Sequence, residues 1–452
     1  MCLTKEKKAA PDTATVKKSP PQHPAGDISK PYNAWIKSFD LKAFTKEIDE
    51  LGERLQAEQG EADVRHLKKI VMWSNMCAFT GILTMGLNAG PLVKLLAIVS
   101  LSTWTFSRWT MIAHHTCHGG YDKIHPEKDR WNRFKFAVGS FWNRLNDWFD
   151  WMMPEAWNIE HNNRHHYCLS EMEDPDLVEN NLEEIRKMDV SLPVKYLIVA
   201  INVVTWKWAY YAPNTYKELK LAGMRRRGEP IPDHVNPTDA LTIRVLLAGT
   251  SYFYSLKEFV TVVAGPYLLI HFFIMPAFLL AVEYYLGLPV GSMYKTAVGN
   301  LFLAELLTNA HAFVAIVTNH AGDDMYRFRD GCKAYSGSFY LRQVLASVDF
   351  DYGSDVVDFL HGWLNYQVEH HLYPQLSMLS YQKCAPLVRE ICDRHGVPYV
   401  KQNVFWRVHK TVEIMVGTTS MRWFPEKEER HYLELDKEIE VEKRAAKKAK
   451  VQ

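Results

Sequence analysis

IVMWSNMCAFTGILTMGLNAGPLVKLLAIVSLSTWTFSRWTMIAHHTCH, residues 70–118, decides the fold class. Its first part, Ile70 to Asn88, carries no charge over 19 residues. That is enough for a helix to cross a hydrocarbon core about 30 Å thick. The second part, Pro91 to Ile112, has Lys94 near its start and Arg108 near its end, where long basic side chains can snorkel to an interface. The NAGP turn between the two runs is short, so they predict a helical hairpin. The stretch ends in HHTCH, where His114 and His118 are four apart and share one helical face.

Two further apolar runs lie downstream. Glu258 to Tyr285 holds VTVVAGPYLLIHFFIMPAFLLAV, and Met293 to Asn319 is a weaker fourth run with Glu305 and His311 inside it. Ionisable residues are costly at that depth, which marks these two for a functional role. Spans are therefore expected at about 70–88, 91–112, 259–284 and 295–318. Residues 194–212 are apolar but flanked by Trp and Tyr, and read as interfacial. Four spans return the chain to one face, so the N-terminus, residues 113–257 and residues 321–452 share a side. Nearly all Lys and Arg fall there, which makes that side cytosolic. The expected architecture is an all-α integral membrane protein: four transmembrane helices under a cytosolic helical cap.

Composition agrees once it is read in blocks. The mean hydropathy of −0.22 would suit a soluble protein, but the apolar residues are concentrated in the runs above. The net charge of +1 gives no sign of a nucleic-acid partner. The 14 Trp and 22 Tyr suit membrane interfaces. The seven Cys form no C-x-x-C pair and read as reduced, with Cys117 a small buried thiol. Residues 1–40 are expected as a disordered tail without a secretory signal, 41–425 as the membrane domain, and 426–452 as a charged C-terminal tail. A charged amphipathic helix is expected over 40–68. The final KAKVQ, with Lys448 and Lys450, resembles a retrieval signal of endoplasmic-reticulum membrane proteins; the same residues also read as the end of a charged helix.

The 19 His are the compositional anomaly. Beside HHTCH stand HNNRHH (His161, His165, His166) and QVEHH (Gln367, Glu369, His370, His371), with single His at 311, 320 and 361. All clusters lie on the predicted cytosolic side. Lone His such as His66, His271, His395, His409 and His431 read as core or surface residues. So many convergent imidazoles exceed the needs of one tetrahedral zinc and predict two metals. Open, His-rich sites suit iron that activates O₂ against an unactivated C–H bond.

These motifs resemble the membrane fatty acyl desaturase family (acyl-lipid and front-end-like members) with its three His boxes. HHTCH resembles the first box, HNNRHH followed by MEDPDLV the second, and HGWLNYQVEHHLYP the third. AHAFVAIVTNHAGDD resembles the segment that adds one more His. The resemblance covers about residues 70–390. It implies two iron ions ligated by His114, His118, His161, His165, His166, His320, His370 and His371, with His361 and Gln367 as ligating or supporting groups. Supporting roles are implied for His115, His311, Asn319, Asp174, Asp176 and Glu369; the three carboxylates would accept the second N–H of ligating imidazoles. The implied reaction is O₂-dependent desaturation of a long acyl chain on a lipid or CoA carrier, in a kinked tunnel. A hydroxylase of the same family is the alternative, and a His-rich membrane metal transporter a more distant one. His115 stands where front-end relatives usually have Asp, and the second box has three residues before its HH pair where many relatives have two. The only haem-motif candidate is HPAG near residues 22–26, so no fused haem domain is expected and the electrons come from a separate donor, cytochrome b5 or ferredoxin. The expected location is the endoplasmic reticulum with both termini cytosolic, the alternative a plastid membrane.

Overall fold

The computed structural model describes residues 26–124 and 130–451, with side chains as far as residue 442. His23 of the HPAG stretch and the side chains of Lys448 and Lys450 lie outside the described residues.

Asp40 opens the first long helix, Leu41–Glu58, by accepting from the backbone N–H of Lys42 and Ala43 at 3.0 Å each. Its apolar stripe, Leu41, Phe44, Ile48, Leu51 and Leu55, is buried. The helix expected over 40–68 is broken at Gln59–Gly60. There the Asp63 carboxylate accepts the Gly60 N–H at 2.8 Å and starts a new helix, Glu61–Thr84. A turn through Gly90, at φ 93°, leads into Pro91–Ser107. These two helices pack as a hairpin, and Ser292–Ile316 packs against the second of them and against Leu192–Trp206.

Among the described residues, two helices are long and apolar enough to cross a membrane, Leu256–Tyr285 and Ser292–Asn319. The first two expected runs do not reach that standard as helices. Glu61–Thr84 begins in the charged stretch Arg65–Lys69 and stops short of residue 88. Pro91–Ser107 runs on through a π-helix at Arg108–Ala113, and it carries Lys94 and then Arg108 among polar Ser and Thr residues. Large apolar side chains nevertheless face outward on all of these helices, among them Met76 and Phe79, Leu92 and Leu95, Phe273 and Phe278, and Phe302. Soluble proteins rarely expose so much apolar surface.

The remaining helices form the cap. Met378–His395 packs on Leu41–Glu58, on Glu61–Thr84 and on the short helix Gln367–Leu372. The fold is not purely helical: Tyr326–Arg327 pairs in parallel with Arg422–Trp423. Both expected tails are ordered where they are described. Pro31–Ser38 forms a 3₁₀ helix that buries Asn33 and Ile36, and Tyr326 donates to Asn33 Oδ1 at 2.8 Å. The apolar Trp35 and Ile36 anchor this segment although its surroundings are rich in Lys and Pro. Glu426–Val451 is a helix that buries Tyr432 and Glu429, and Arg342 reaches Glu429 at 3.1 Å.

Candidate metal centre

The His boxes arrive on local irregularities of the helix backbone. The π-helix Arg108–Ala113 leads directly into His114–Cys117, and a second π-helix, Asn158–Asn162, carries His161. Such widened turns recur at functional sites because they re-aim side chains by a fraction of a turn. The third box follows a tight turn in which Gly362 and Trp363 have φ of 70° and 57°. A Cβ on Gly362 would lie 2.7 Å from Thr110 Oγ1 and 2.8 Å from the Phe106 ring, so only glycine lets this turn approach the helix that carries the first box.

Eight imidazoles converge, all buried, in two groups. His114, His118, His161, His166 and His370 form one; His165, His320 and His371 form the other. Within each group the candidate ligand atoms lie within 4.8 Å of one another. Nε2 of His114 is 3.0 Å from Nε2 of both His161 and His370, and His166 Nε2 is 3.3 Å from His161 Nε2. Two imidazole nitrogens bound about 2.1 Å from one ion at right angles would sit roughly 3.0 Å apart. Nε2 of His118 and of His371 is buried without a partner among the described residues. Buried polar atoms are normally satisfied, so these orphans fit a missing ligand.

Several second ring nitrogens are held, as metal-ligating imidazoles require. His165 Nδ1–H donates to Asp174 at 2.9 Å, His320 Nδ1–H to the Ala346 carbonyl at 3.0 Å, His371 Nδ1–H to Gln343 Oε1 at 3.1 Å, and His370 Nδ1–H to the Tyr381 hydroxyl at 3.2 Å. Burial, reinforced by neighbouring imidazoles, holds His118, His161, His166, His370 and His371 well below the ordinary histidine range, and burial pushes His320 down to about 3. These rings are neutral at pH 7, the form that binds metal. Burial alone would press His165 down too, but the Asp174 carboxylate outweighs it and leaves this imidazole raised.

The other expected residues fall in distinct places. Gln367 joins the three-imidazole group: its Nε2 is 2.8 Å from His320 Nε2, and its Oε1 is buried without a partner among the described residues. Asp176 lies with His161 and His165 in a third potential ligand set. Asn319 donates to the carbonyls of Ala315 and Leu364 at 2.9 and 3.1 Å. His115, fully buried, donates from Nδ1 to the Met111 carbonyl at 2.8 Å and joins neither group. His361 bonds the Val357 carbonyl at 2.8 Å and packs near Phe350, away from both groups. His311 stacks on Phe106 at 3.8 Å and donates to the Leu360 carbonyl at 2.6 Å. Glu369 orients no imidazole; it accepts from Tyr399 at 2.9 Å beside Asp349. Sequence reasoning missed Tyr381, Gln343 and Trp157, whose ring stacks on His161 at 4.6 Å. No spacing pattern marks Tyr381 and Gln343, because each belongs to a different element from the box it supports; Trp157 stands four residues before His161 on one continuous helical stretch, and that spacing could have found it.

A cavity of about 450 Å³ opens beside the groups. His114, His161, His165 and His320 line it together with Trp109, Trp206, Ile185, Ile198, Phe313 and Val317, and so does the exposed Glu184–Arg244 pair. A mostly apolar cavity that shares a wall with a metal-binding cluster suits a hydrocarbon.

Comparison with known proteins agrees with this geometry. The fatty acid desaturase family pattern matches residues 89–403. The NADPH-dependent stearoyl-CoA 9-desaturase of Mycobacterium tuberculosis is 32% identical over 127 residues, covering 28% of this chain and 30% of that protein. The acyl-lipid (8-3)-desaturase of Physcomitrium patens is 33% identical over 140 residues, 29% of each chain. The delta(5) fatty acid desaturase A of Dictyostelium discoideum is 27% identical over 107 residues, 22% of this chain and 23% of that one. The aligned stretches thus span less than a third of these relatives, whereas the family pattern covers most of the present chain. On that match and its buried imidazole groups, the chain belongs to the fatty acid desaturase family.

Proposed function

We propose that this protein is a membrane-embedded, O₂-dependent desaturase of a long acyl chain, with two iron ions held by the eight buried imidazoles. The observation that carries the reading is the meeting of the mostly apolar cavity with both imidazole groups along its wall. His114, His118, His161, His166 and His370 would hold one ion, and His165, His320 and His371 with Gln367 the other. When bound, the iron pair supplies the reduction of O₂ that breaks an unactivated C–H bond.

The chain's own residues do the rest. Ile185, Ile198, Phe313 and Val317 exclude water and hold the acyl chain. Asp174 fixes the ring of His165, and Tyr381 and Gln343 fix those of His370 and His371. Trp157, stacked on His161, limits how far that ring can tilt. Four helices, near residues 70–88, 91–112, 256–285 and 292–319, would hold the enzyme in the endoplasmic-reticulum membrane with both termini cytosolic. The outward apolar side chains and the distribution of Lys and Arg support this. Electrons would come from a separate carrier.

Expression in yeast with lipid profiling and metal analysis tests the reading. The expected result is a new acyl species two mass units lighter than its parent, with two irons per purified chain. A species one oxygen heavier would instead make it a hydroxylase. His370→Ala is expected to abolish product while the protein still inserts and folds; full activity in that variant overturns the assignment.

A further inference from the structure

A second cavity, of about 390 Å³, reaches the imidazoles from another side. His118, His166 and His371 line it, and no described residue lines both cavities. Its lining includes Phe134 and Tyr335, 78% and 41% exposed, so it joins the surface to the buried rings. The two linings also differ in kind. The helical stretch over residues 154–162 gives Trp157 and His161 to the mostly apolar cavity. To the second cavity it gives the half-buried Glu155, Asn158 and Asn162. These stand three and four apart, a polar row along one helical face.

The row leads inward. Asn162 Nδ2 donates to Asn158 Oδ1 at 2.8 Å and to the carbonyl of Cys117, the residue before His118, at 3.0 Å. Asn162 Oδ1 is buried with no partner among the described residues, which fits an ordered water beside it. Glu155 accepts the Gly139 N–H at 3.1 Å and is the only carboxylate among the described lining residues. Two cations stand near it. Arg133 lines the same cavity and is held by Asp122, and the buried Arg144 bonds the carbonyls of Asp150 and Val263 at 2.8 and 3.0 Å. Arginines do not release protons, and burial pushes the Cys117 thiol up to about 12. Glu155 is thus the group in this lining suited to exchange protons with solvent.

We propose that the second cavity is the proton and water path of the site, in which Glu155 takes protons from solvent and passes them along waters beside Asn158 and Asn162 to the oxygen being reduced. This rests on the desaturase reading above. Forming one double bond removes two hydrogens from adjacent methylenes. Together with two electrons from a one-electron reductant and two protons, these reduce one O₂ to two waters. The protons come from solvent and the waters return to it. An acyl chain lying in the mostly apolar cavity blocks that side to both, and the second cavity stays open while it is bound.

The test is a single turnover. Iron-loaded enzyme in vesicles of yeast phospholipid with added stearoyl-CoA, which together offer both acyl carriers, is reduced with dithionite and freed of excess reductant. It is then mixed with oxygenated buffer, and the double bond is followed by rapid quenching. Glu155→Gln keeps an oxygen for the Gly139 N–H and removes the exchangeable acid. It is expected to slow the reaction about tenfold, less than the roughly 10²–10⁴-fold of a group that transfers a proton directly, because water stands in for it. Its further slowing in D₂O should exceed that of the parent. Formate, small enough to enter the cavity, should restore part of the rate, and Glu155→Asp most of it, while iron content matches the parent throughout. Asn158→Leu, which interrupts the row, should slow the reaction in the same direction. Unchanged rates in Glu155→Gln and Asn158→Leu overturn the proposal. So does a defect that neither formate nor Glu155→Asp relieves, which would mark a structural role, or one cured by raising oxygen, which would make the cavity a gas channel. If the reduced parent enzyme forms no double bond on either carrier, the desaturase reading itself falls.

Discussion

Two of the buried polar clusters among the described residues are built on opposite principles. One surrounds Lys207, whose side chain is fully buried. Its ammonium is 3.2 Å from Asp150 and 3.5 Å from Glu305. Glu305 also accepts from Trp151 Nε1 at 3.1 Å and from the Tyr267 hydroxyl, and Asn309 accepts the Lys207 backbone N–H at 3.0 Å. Apart from one oxygen of Asp150, the charged groups satisfy one another. The other cluster is the eight imidazoles: Nε2 of His114, His161, His166 and His370 face one another, that of His320 faces the Gln367 amide, and those of His118 and His371 face nothing among the described residues. A cluster that closes on itself is a structural fastener. A cluster of acceptors that leave each other unsatisfied is waiting for a cation. Glu305, which its place in an apolar run marks for a functional role, belongs to the first kind.

Breaking the fastener should have the largest effect on stability. Lys207→Met leaves Asp150 and Glu305 buried without their cation, which costs about 3–5 kcal/mol. Thermal or denaturant unfolding in detergent should register this. The fraction that remains folded should bind iron as the parent protein does. Adding Asp150→Asn should recover part of the loss, because it removes one uncompensated charge. A Lys207→Met protein as stable as the parent would erase the contrast between the clusters.

The imidazole cluster predicts the reverse pattern, with metal affinity altered and the fold kept. Asp174→Asn retains an oxygen for the His165 N–H but loses the charge that makes this imidazole a better donor. Outer partners of this kind are worth roughly 10–100-fold in metal affinity or activity. Iron titration of the apo-protein should show that loss with little change in melting temperature. Unchanged affinity would mean that packing alone orients His165.

Legibility in the sequence followed the same division. Imidazole pairs four apart pointed to the residues that the structure brings together. What short spacing cannot express is a partner from another helix. Nothing around Glu305 announces Lys207, nearly a hundred residues away, and nothing in LSYQKC marks Tyr381 as the residue beneath His370. The same limit explains His361 and Glu369. Both stand in or beside the third box by position, yet the turn at Gly362–Trp363 sends His361 toward Phe350, and Glu369 faces Tyr399. Pro31–Ser38 escaped notice because two apolar residues in a polar segment carry no periodicity.

The smallest predicted effect is also the most selective. The Tyr381 hydroxyl donates to the Tyr373 carbonyl at 3.1 Å and accepts from His370 Nδ1–H at 3.2 Å. Tyr381→Phe keeps the buried ring and its edge contact with His370, 5.7 Å between centroids, and removes only the oxygen. The bond to the Tyr373 carbonyl goes with it in any case; the bond from His370 is worth about 1 kcal/mol, or about fivefold in an equilibrium constant. If the bond serves the metal, that factor should appear in iron affinity, and at the five-imidazole group rather than the other, because His370 belongs to the former. Titration resolving two binding steps would then show one step weakened and one unmoved. If instead the oxygen only fastens Tyr373 to the helix Met378–His395, the loss should appear in unfolding of the apo-protein alone, with both iron steps unmoved. The single oxygen of Tyr381 therefore tests, at the scale of one hydrogen bond, whether the imidazole cluster is shaped for a cation or merely held together.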